Sequence, residues 1–202
     1  VVWRHCRLAH CRCIGHGLGD DPNDETGRLR RRLRCQRHHP CLVGGRGDDL
    51  VLGDEGNDLI DLGAGNDLSW VDDGVSVDAY RLGQLGDDTI SGGAGDDLVV
   101  GDDGDSLAGG SGNDMFVVYD ERDDHQAVDV ADYDGSQDTL ELHVDETVAD
   151  LANWTLFAQT DAVTGNVMLG LENNLDPVQT ITLANLQNPS NFDVSQVTLY
   201  QN

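Results

Sequence analysis

Aspartate returns at a near-constant interval along the middle of this chain. Asp49, Asp58 and Asp67 stand nine residues apart; after a gap come Asp88, Asp97, Asp105 and Asp114. A glycine precedes each within two residues: Gly47, Gly56, Gly65, Gly86, Gly95, Gly104 and Gly112. The neighbours are Asp or Asn, so the donors on offer are oxygens, without nitrogen or sulfur. Glycine adds to them, because a residue without Cβ reaches positive φ and lets its carbonyl approach an ion. Ca²⁺ takes six to eight such oxygens at about 2.3–2.6 Å in a yielding frame, whereas a soft metal is poorly served by them. The candidate ligands are these seven aspartates with turn carbonyls around Gly45, Gly47, Gly56, Gly65, Gly86, Gly93, Gly95, Gly104 and Gly112.

The element that must hold them is a nine-residue unit, G-G-x-G-x-D-x-U-x, with U a large apolar residue. The chain spells GGRGDDLVL (44–52), GDEGNDLID (53–61) and LGAGNDLSW (62–70). After the twelve residues 71–82 it resumes with GQLGDDTIS (83–91), GGAGDDLVV (92–100), a shortened GDDGDSLA (101–108) and GGSGNDMFV (109–117). The shortened unit leaves open whether Asp105 reaches the sixth place. The eighth-place residues Val51, Ile60, Ile90, Val99, Leu107 and Phe116 share one phase and are predicted to point inward; Ser69 is the misfit. A disordered Gly/Asp linker would not keep apolar residues in register.

A fixed short period read this way marks a stacked repeat. The units resemble those of the repeats-in-toxin (RTX) calcium-binding family, over residues 44–117. The resemblance implies an all-β fold: a parallel β-roll with two nonapeptides per turn of the coil. It also implies that the first six residues of each unit form a calcium-binding turn and the last three a short strand. Several Ca²⁺ ions are then the expected cofactor, with a chain that is disordered without calcium and folds in millimolar calcium after secretion. The family further implies an extracellular or cell-surface bacterial location and export by type I secretion machinery, with the end NFDVSQVTLYQN as a candidate signal.

Charge divides the chain. Residues 1–41 hold nine of the twelve arginines and four acids, whereas residues 42–202 hold thirty-four acids and three arginines, or −31. Such an excess repels nucleic acid and anionic membrane and opposes compaction unless cations neutralise it. No apolar run is long enough to span a bilayer. The basic leader, with RLRRRLR at 28–34, receives no fold and reads as disordered or foreign. It carries all five cysteines, Cys6, Cys11, Cys13, Cys35 and Cys41; without a C-x-x-C pair their spacing argues poorly for zinc.

Past Val118 the glycine period gives way to alternation in WTLFA, TITLANL, VTLY, TLELHV (139–144) and NVMLGL (166–171), predicted as strands of a β-rich cap over 118–202. Within DVADYDGSQDTLEL, Asp132, Asp134 and Asp138 have a spacing that suits either a further Ca²⁺ or a plain solvated turn. No catalytic constellation accompanies these features. Gly104-Asp105-Ser106-Leu107 spells an esterase signature but lacks its Asp-x-x-His partner, no H-E-x-x-H or full G-x-S-x-G occurs, and His125 and His143 have no paired ligand. The chain is read as a non-enzyme. Two other readings remain: the C-terminal part of a larger secreted protease or lipase, and a calcium-dependent adhesin or surface-layer protein of unknown target.

Overall fold

The computed structural model describes residues 32–34, 42–53, 58–70, 87–120, 126–144 and 151–201. Among them there is no α-helix; through residue 144 the chain coils between two sheets, laying successive strands alternately in one and the other. The first sheet collects β1 (Arg32–Arg34), β3 (Leu50–Leu52), β5 (Leu68–Trp70), β7 (Leu98–Gly101), β9 (Met115–Asp120), β11 (Thr139–Val144) and β15 (Val197–Gln201). The second collects β2 (Leu42–Arg46), β4 (Leu59–Ala64), β6 (Thr89–Ala94), β8 (Ser106–Ser111), β10 (Val128–Val130), and β12 (Trp154–Thr160), β13 (Val167–Asn173) and β14 (Thr180–Leu186). This is a parallel β-roll, as the repeat implies.

Register follows from the unit. Leu42 lies opposite Ile60 and Leu50 opposite Leu68, so one coil is 18 residues, two units. Ile60 faces Ile90 and Leu68 faces Leu98, a step of 30, which is 18 plus the twelve inserted residues. The insertion therefore leaves the stack unbroken: both sheets pair across it in phase. Ile90 faces Leu107 and Val99 faces Phe116, a step of 17, so the shortened unit also closes in register.

The inner face is the predicted one. Val51, Ile60, Ile90, Val99, Leu107 and Phe116 are all buried between the sheets. Ser69 is buried with them, and its hydroxyl accepts the Val100 N–H at 3.1 Å. The strands exceed the three-residue expectation most consistently in the second sheet. β4, β6 and β8 run six residues each, through the first two or three places of the following unit, because those backbones pair directly with the coil below (Gly45, Gly63, Gly93 and Gly110 form one row).

The parallel coil also runs beyond residue 117. β10 pairs with β8 and β11 with β9, Leu140 lying opposite Phe116, so residues 126–144 make one further turn without the glycine period. Closure comes after it. β12, β13 and β14 form an antiparallel meander that joins the second sheet through β14 and β10, while β15 joins the first beside β11. Leu140, Leu142, Val144, Val167, Leu169, Leu171, Leu183 and Leu186 continue the core into this cap. At the opposite end, Arg32–Arg34 of the leader pair with β3. The five cysteines, His125 and the insertion 71–82 lie outside the described residues.

Candidate metal centre

On the edge formed by units 44–52, 62–70, 92–100 and 109–117, coils that stack at β-sheet spacing, about 4.8 Å, leave no room for side chains at the second and fourth places. At Gly93, with φ +106°, a Cβ would run into the Gly63 carbonyl, and at Gly95, with φ +135°, into that of Gly65. An L side chain rarely adopts this backbone, so glycine is required twice over. The result is a column of turns whose carbonyls crowd together at this edge of the roll.

The sixth-place aspartates line both edges. On one edge the Asp49 N–H donates to Asp67 Oδ1 at 2.7 Å, the Asp67 N–H to Asp97 Oδ1 at 2.7 Å and the Asp97 N–H to Asp114 Oδ1 at 3.0 Å. On the other the Asp58 N–H donates to Asp88 Oδ1 at 2.7 Å and the Asp88 N–H to Asp105 Oδ1 at 2.8 Å. The carboxylates of Asp67, Asp97, Asp114, Asp88 and Asp105 thus each bridge to the coil before them, and all seven are buried. Asp105 does occupy the sixth place. Gly104 is consequently the fifth-place residue of its unit, lying over Asp87, and not the fourth-place glycine that its spacing suggested.

A second, exposed ladder runs along the fifth places. The Asn66 N–H donates to Asp48 Oδ1, the Asp96 N–H to Asn66 Oδ1, and Asn113 donates to Asp96 Oδ1 through both its backbone and its side-chain amide. The alternation of Asp and Asn at this place signals it, since either side chain supplies an oxygen that accepts the next amide.

Burial governs the electrostatics. Desolvation pushes the carboxyls of Asp67, Asp88 and Asp97 up to about 6, and Asp105 to about 7; the backbone N–H bonds hold each back in part. Asp114 moves upward for the same reason. One oxygen explains what is missing. Asp67 Oδ2 and Asp97 Oδ2 are buried without a hydrogen-bond partner. The Asp97 oxygen points at the first-place glycine of its unit, where a Cβ on Gly92 would lie only 2.6 Å away. A buried anionic oxygen left in that state is strongly destabilising, and a hard cation satisfies it.

Among the described residues no three His, Cys, Asp or Glu side chains converge as an all-side-chain metal site would require. That agrees with the geometry: the aspartates are strung one per coil along each edge, so most ligands must come from turn carbonyls. Ca²⁺ suits this donor set in a way that zinc does not.

Past the repeats, the Asp114 N–H donates to Asp138 Oδ1 at 3.0 Å, which makes Asp138 the next rung of the first ladder. Asp132 accepts the N–H groups of Gly109 and Gly110. Asp134 accepts from Asn191 and Ser136, whose donors pull its carboxyl down to about 2. The three therefore do not share one centre. His143 lies elsewhere, stacked between Tyr119 and Tyr200 at 4.7 Å on each side, with Glu141 beside it. Gly56 and Gly86 fall outside the described residues.

Comparison with known proteins agrees. Residues 42–68 and 82–107 match the family described as RTX calcium-binding nonapeptide repeat, in four copies. No curated protein matches the chain.

Proposed function

From the RTX nonapeptide repeats at 42–68 and 82–107 as premise, we propose that this chain is a secreted module that calcium switches from unfolded to folded, and that its chemistry is coordination, not catalysis. The observation that carries the reading is the pair of buried, unpartnered carboxylate oxygens on Asp67 and Asp97. Asp49, Asp58, Asp88 and Asp114 hold equivalent places in the two ladders. Bound Ca²⁺ supplies positive charge and several coordination positions to carboxylates that otherwise face each other across adjacent coils. The aspartates orient through their Oδ1 bonds, and the turn glycines bring carbonyls to the same edge.

The reading has a compartmental consequence. Sites built from few carboxylates and many neutral carbonyls bind calcium in the range of extracellular modules, near 10⁻⁴–10⁻³ M, so the cytosol leaves them empty and the exterior fills them. A chain that stays extended until then suits export through a type I channel and folding at the bacterial surface or beyond. Ser106, the serine of the esterase-like tetrapeptide, is the seventh-place residue of its unit, in the row of Thr89, a role that the repeat fully accounts for. No described helix is long and apolar enough to cross a membrane.

The test is far-UV circular dichroism of the full chain after passage over a chelating resin, followed by titration with CaCl₂. Loss of the part of the β signal that the repeats contribute without metal, and its return at millimolar calcium, is the expected result. A full β signal in metal-free buffer, or no calcium uptake, refutes the proposal.

A further inference from the structure

Not every rung of the two ladders is alike. In the turns 62–67 and 92–97 the hydrogen bonds outside the strand ladders cross to a neighbouring coil: Gly65 N–H to Ala94 O, Gly95 N–H to Ser111 O, and the fifth- and sixth-place amides to the side chains already named. Neither turn is closed by a bond of its own. Asp67 Oδ2 and Asp97 Oδ2, each on a side chain 3 % exposed, meet no donor.

The turns at Asp105 and Asp138 are built differently. Asp105 Oδ2 accepts the Asp102 N–H at 2.9 Å, while the Asp105 N–H donates to Asp102 O at 3.0 Å. Asp138 Oδ2 accepts the Asp134 N–H at 2.8 Å, while the Asp138 and Gln137 N–H groups donate to Asp134 O at 2.7 and 2.9 Å. In both turns the oxygen that is orphaned at Asp67 and Asp97 takes a backbone donor, and a turn carbonyl that could face an ion is turned onto an amide. An N–H presents its positive end to the oxygen in the cation's stead. The missing residue of unit 101–108 is what draws Asp102 within reach.

Resting on the calcium reading above, we infer that the Asp105 and Asp138 turns are closed by backbone amides and take no calcium, so that metal binding is confined to the rungs from Asp49 to Asp97, Asp114 included, on the first edge and Asp58 to Asp88 on the second. Six aspartate pairs bridge successive coils: Asp49–Asp67, Asp67–Asp97, Asp97–Asp114, Asp114–Asp138, Asp58–Asp88 and Asp88–Asp105. Two of them end on an amide-closed carboxylate, and 6 − 2 leaves four.

The full chain is titrated with calcium and the bound ions are counted by flow dialysis and calorimetry, alongside Asp67→Asn, Asp97→Asn, Asp105→Asn and Asp138→Asn. The expected count is at most four. Asp67→Asn and Asp97→Asn each lower it or weaken binding at least tenfold, and the other two leave it unchanged. Five or more ions in the parent chain, or loss of an ion in Asp105→Asn or Asp138→Asn, overturns the assignment. Because the last two variants remove an internal acceptor and can fail to fold, the parent chain supplies a second readout: exchange of bound Ca²⁺ for Sr²⁺ followed by carboxyl-carbon NMR. The Asp67 and Asp97 resonances shift with the metal and those of Asp105 and Asp138 do not; a shift of the latter pair sinks the inference. If the parent chain takes up no calcium, the calcium reading itself falls and this one with it. Uptake with the wrong distribution overturns only this one.

Discussion

The substitution Gly53→Ala asks directly whether a cation lies between two rungs. Gly53 opens the second unit, and its backbone is outside the positive-φ region that favours glycine. A Cβ there would lie 3.3 Å from Asp88 Oδ2, 3.4 Å from Ile60 Cδ1 and 3.6 Å from Asp58 Oδ2. These are tight but admissible contacts, so the fold tolerates the methyl. Two effects then oppose each other. Replacing glycine at a compatible backbone restricts the unfolded chain and stabilises by about 0.4–1 kcal/mol. A methyl wedged between two carboxylate oxygens brings no lone pair and crowds any ion they share; a tenfold loss of affinity is about 1.4 kcal/mol, felt in full once calcium exceeds both dissociation constants. The second effect wins by roughly 0.4–1 kcal/mol, or about 1–4 °C in Tm at the size scaling for such a chain. Differential scanning calorimetry in saturating calcium reads the sign. A variant that melts higher than the parent refutes the placement of calcium between Asp58 and Asp88, because the backbone gain would stand unopposed. Gly93→Ala is the contrast: its Cβ meets the Gly63 backbone at φ +106°, and the chain fails to form the coil at any calcium concentration.

Two further outcomes follow from burial. The folded carboxyls of Asp88 and Asp105 lie at about 6 and 7, raised from 3.8 by burial, so the metal-free folded state binds more protons than the unfolded one between about pH 4 and 7. Its stability therefore falls as pH rises through that window, by on the order of 3 and 4 kcal/mol for the two groups. Resin-treated protein is expected to show more β signal at pH 5 than at pH 8; a flat metal-free signal contradicts this. Ser69→Val removes the acceptor of the Val100 N–H and leaves that amide unpaired in the core. Chemical denaturation in calcium should show a loss of about 1–3 kcal/mol, against a gain if shape alone mattered at this eighth place.

The period made the roll legible because two constraints repeat together. Glycine at the second and fourth places of alternate units and an apolar eighth place leave one way to stack, and Val51, Ile60, Ile90, Val99, Leu107 and Phe116 meet in the core as that pattern requires. Spacing by letters misled where a residue is missing. Gly104 falls at the fourth position when units are counted from their start, yet pleating forces Leu107 to face inward beside Ile90, and that fixes Asp105 in the sixth place and Gly104 in the fifth. The extra coil at 126–144 was hidden for a related reason. Its turn, ADYDGSQD, carries no positive-φ glycine column, and Asp132 and Asp138 accept amides of the coil before it, so only the alternation of TLELHV in β11 announced it. Ser69 looked like a misfit since hydropathy records what a side chain excludes, and not the acceptor that an interrupted ladder needs.

The division between open and closed turns bears on how an acidic chain can have a compact form at all. Two carboxylates on successive coils at about 4.8 Å repel by roughly 3–4 kcal/mol at an effective dielectric constant of 20, and a ladder repeats that term at each step. A single Oδ1···H–N bridge per rung contributes about 1.5–3 kcal/mol, so an open rung carries less attraction than repulsion before the desolvation of Oδ2 is counted. A second backbone donor, as at Asp105 and Asp138, brings the two sides level without any ion. The C-terminal coil and its meander are thereby placed to persist on their own, with the core of Tyr133, Leu140, Leu142, Leu169 and Leu186 beneath them, whereas the coils from Leu42 to Val100 depend on cations. Partial proteolysis in chelator separates these regimes: a protected fragment beginning near Gly101 is expected, and uniform digestion from Leu42 to Gln201 would show that amide closure does not suffice.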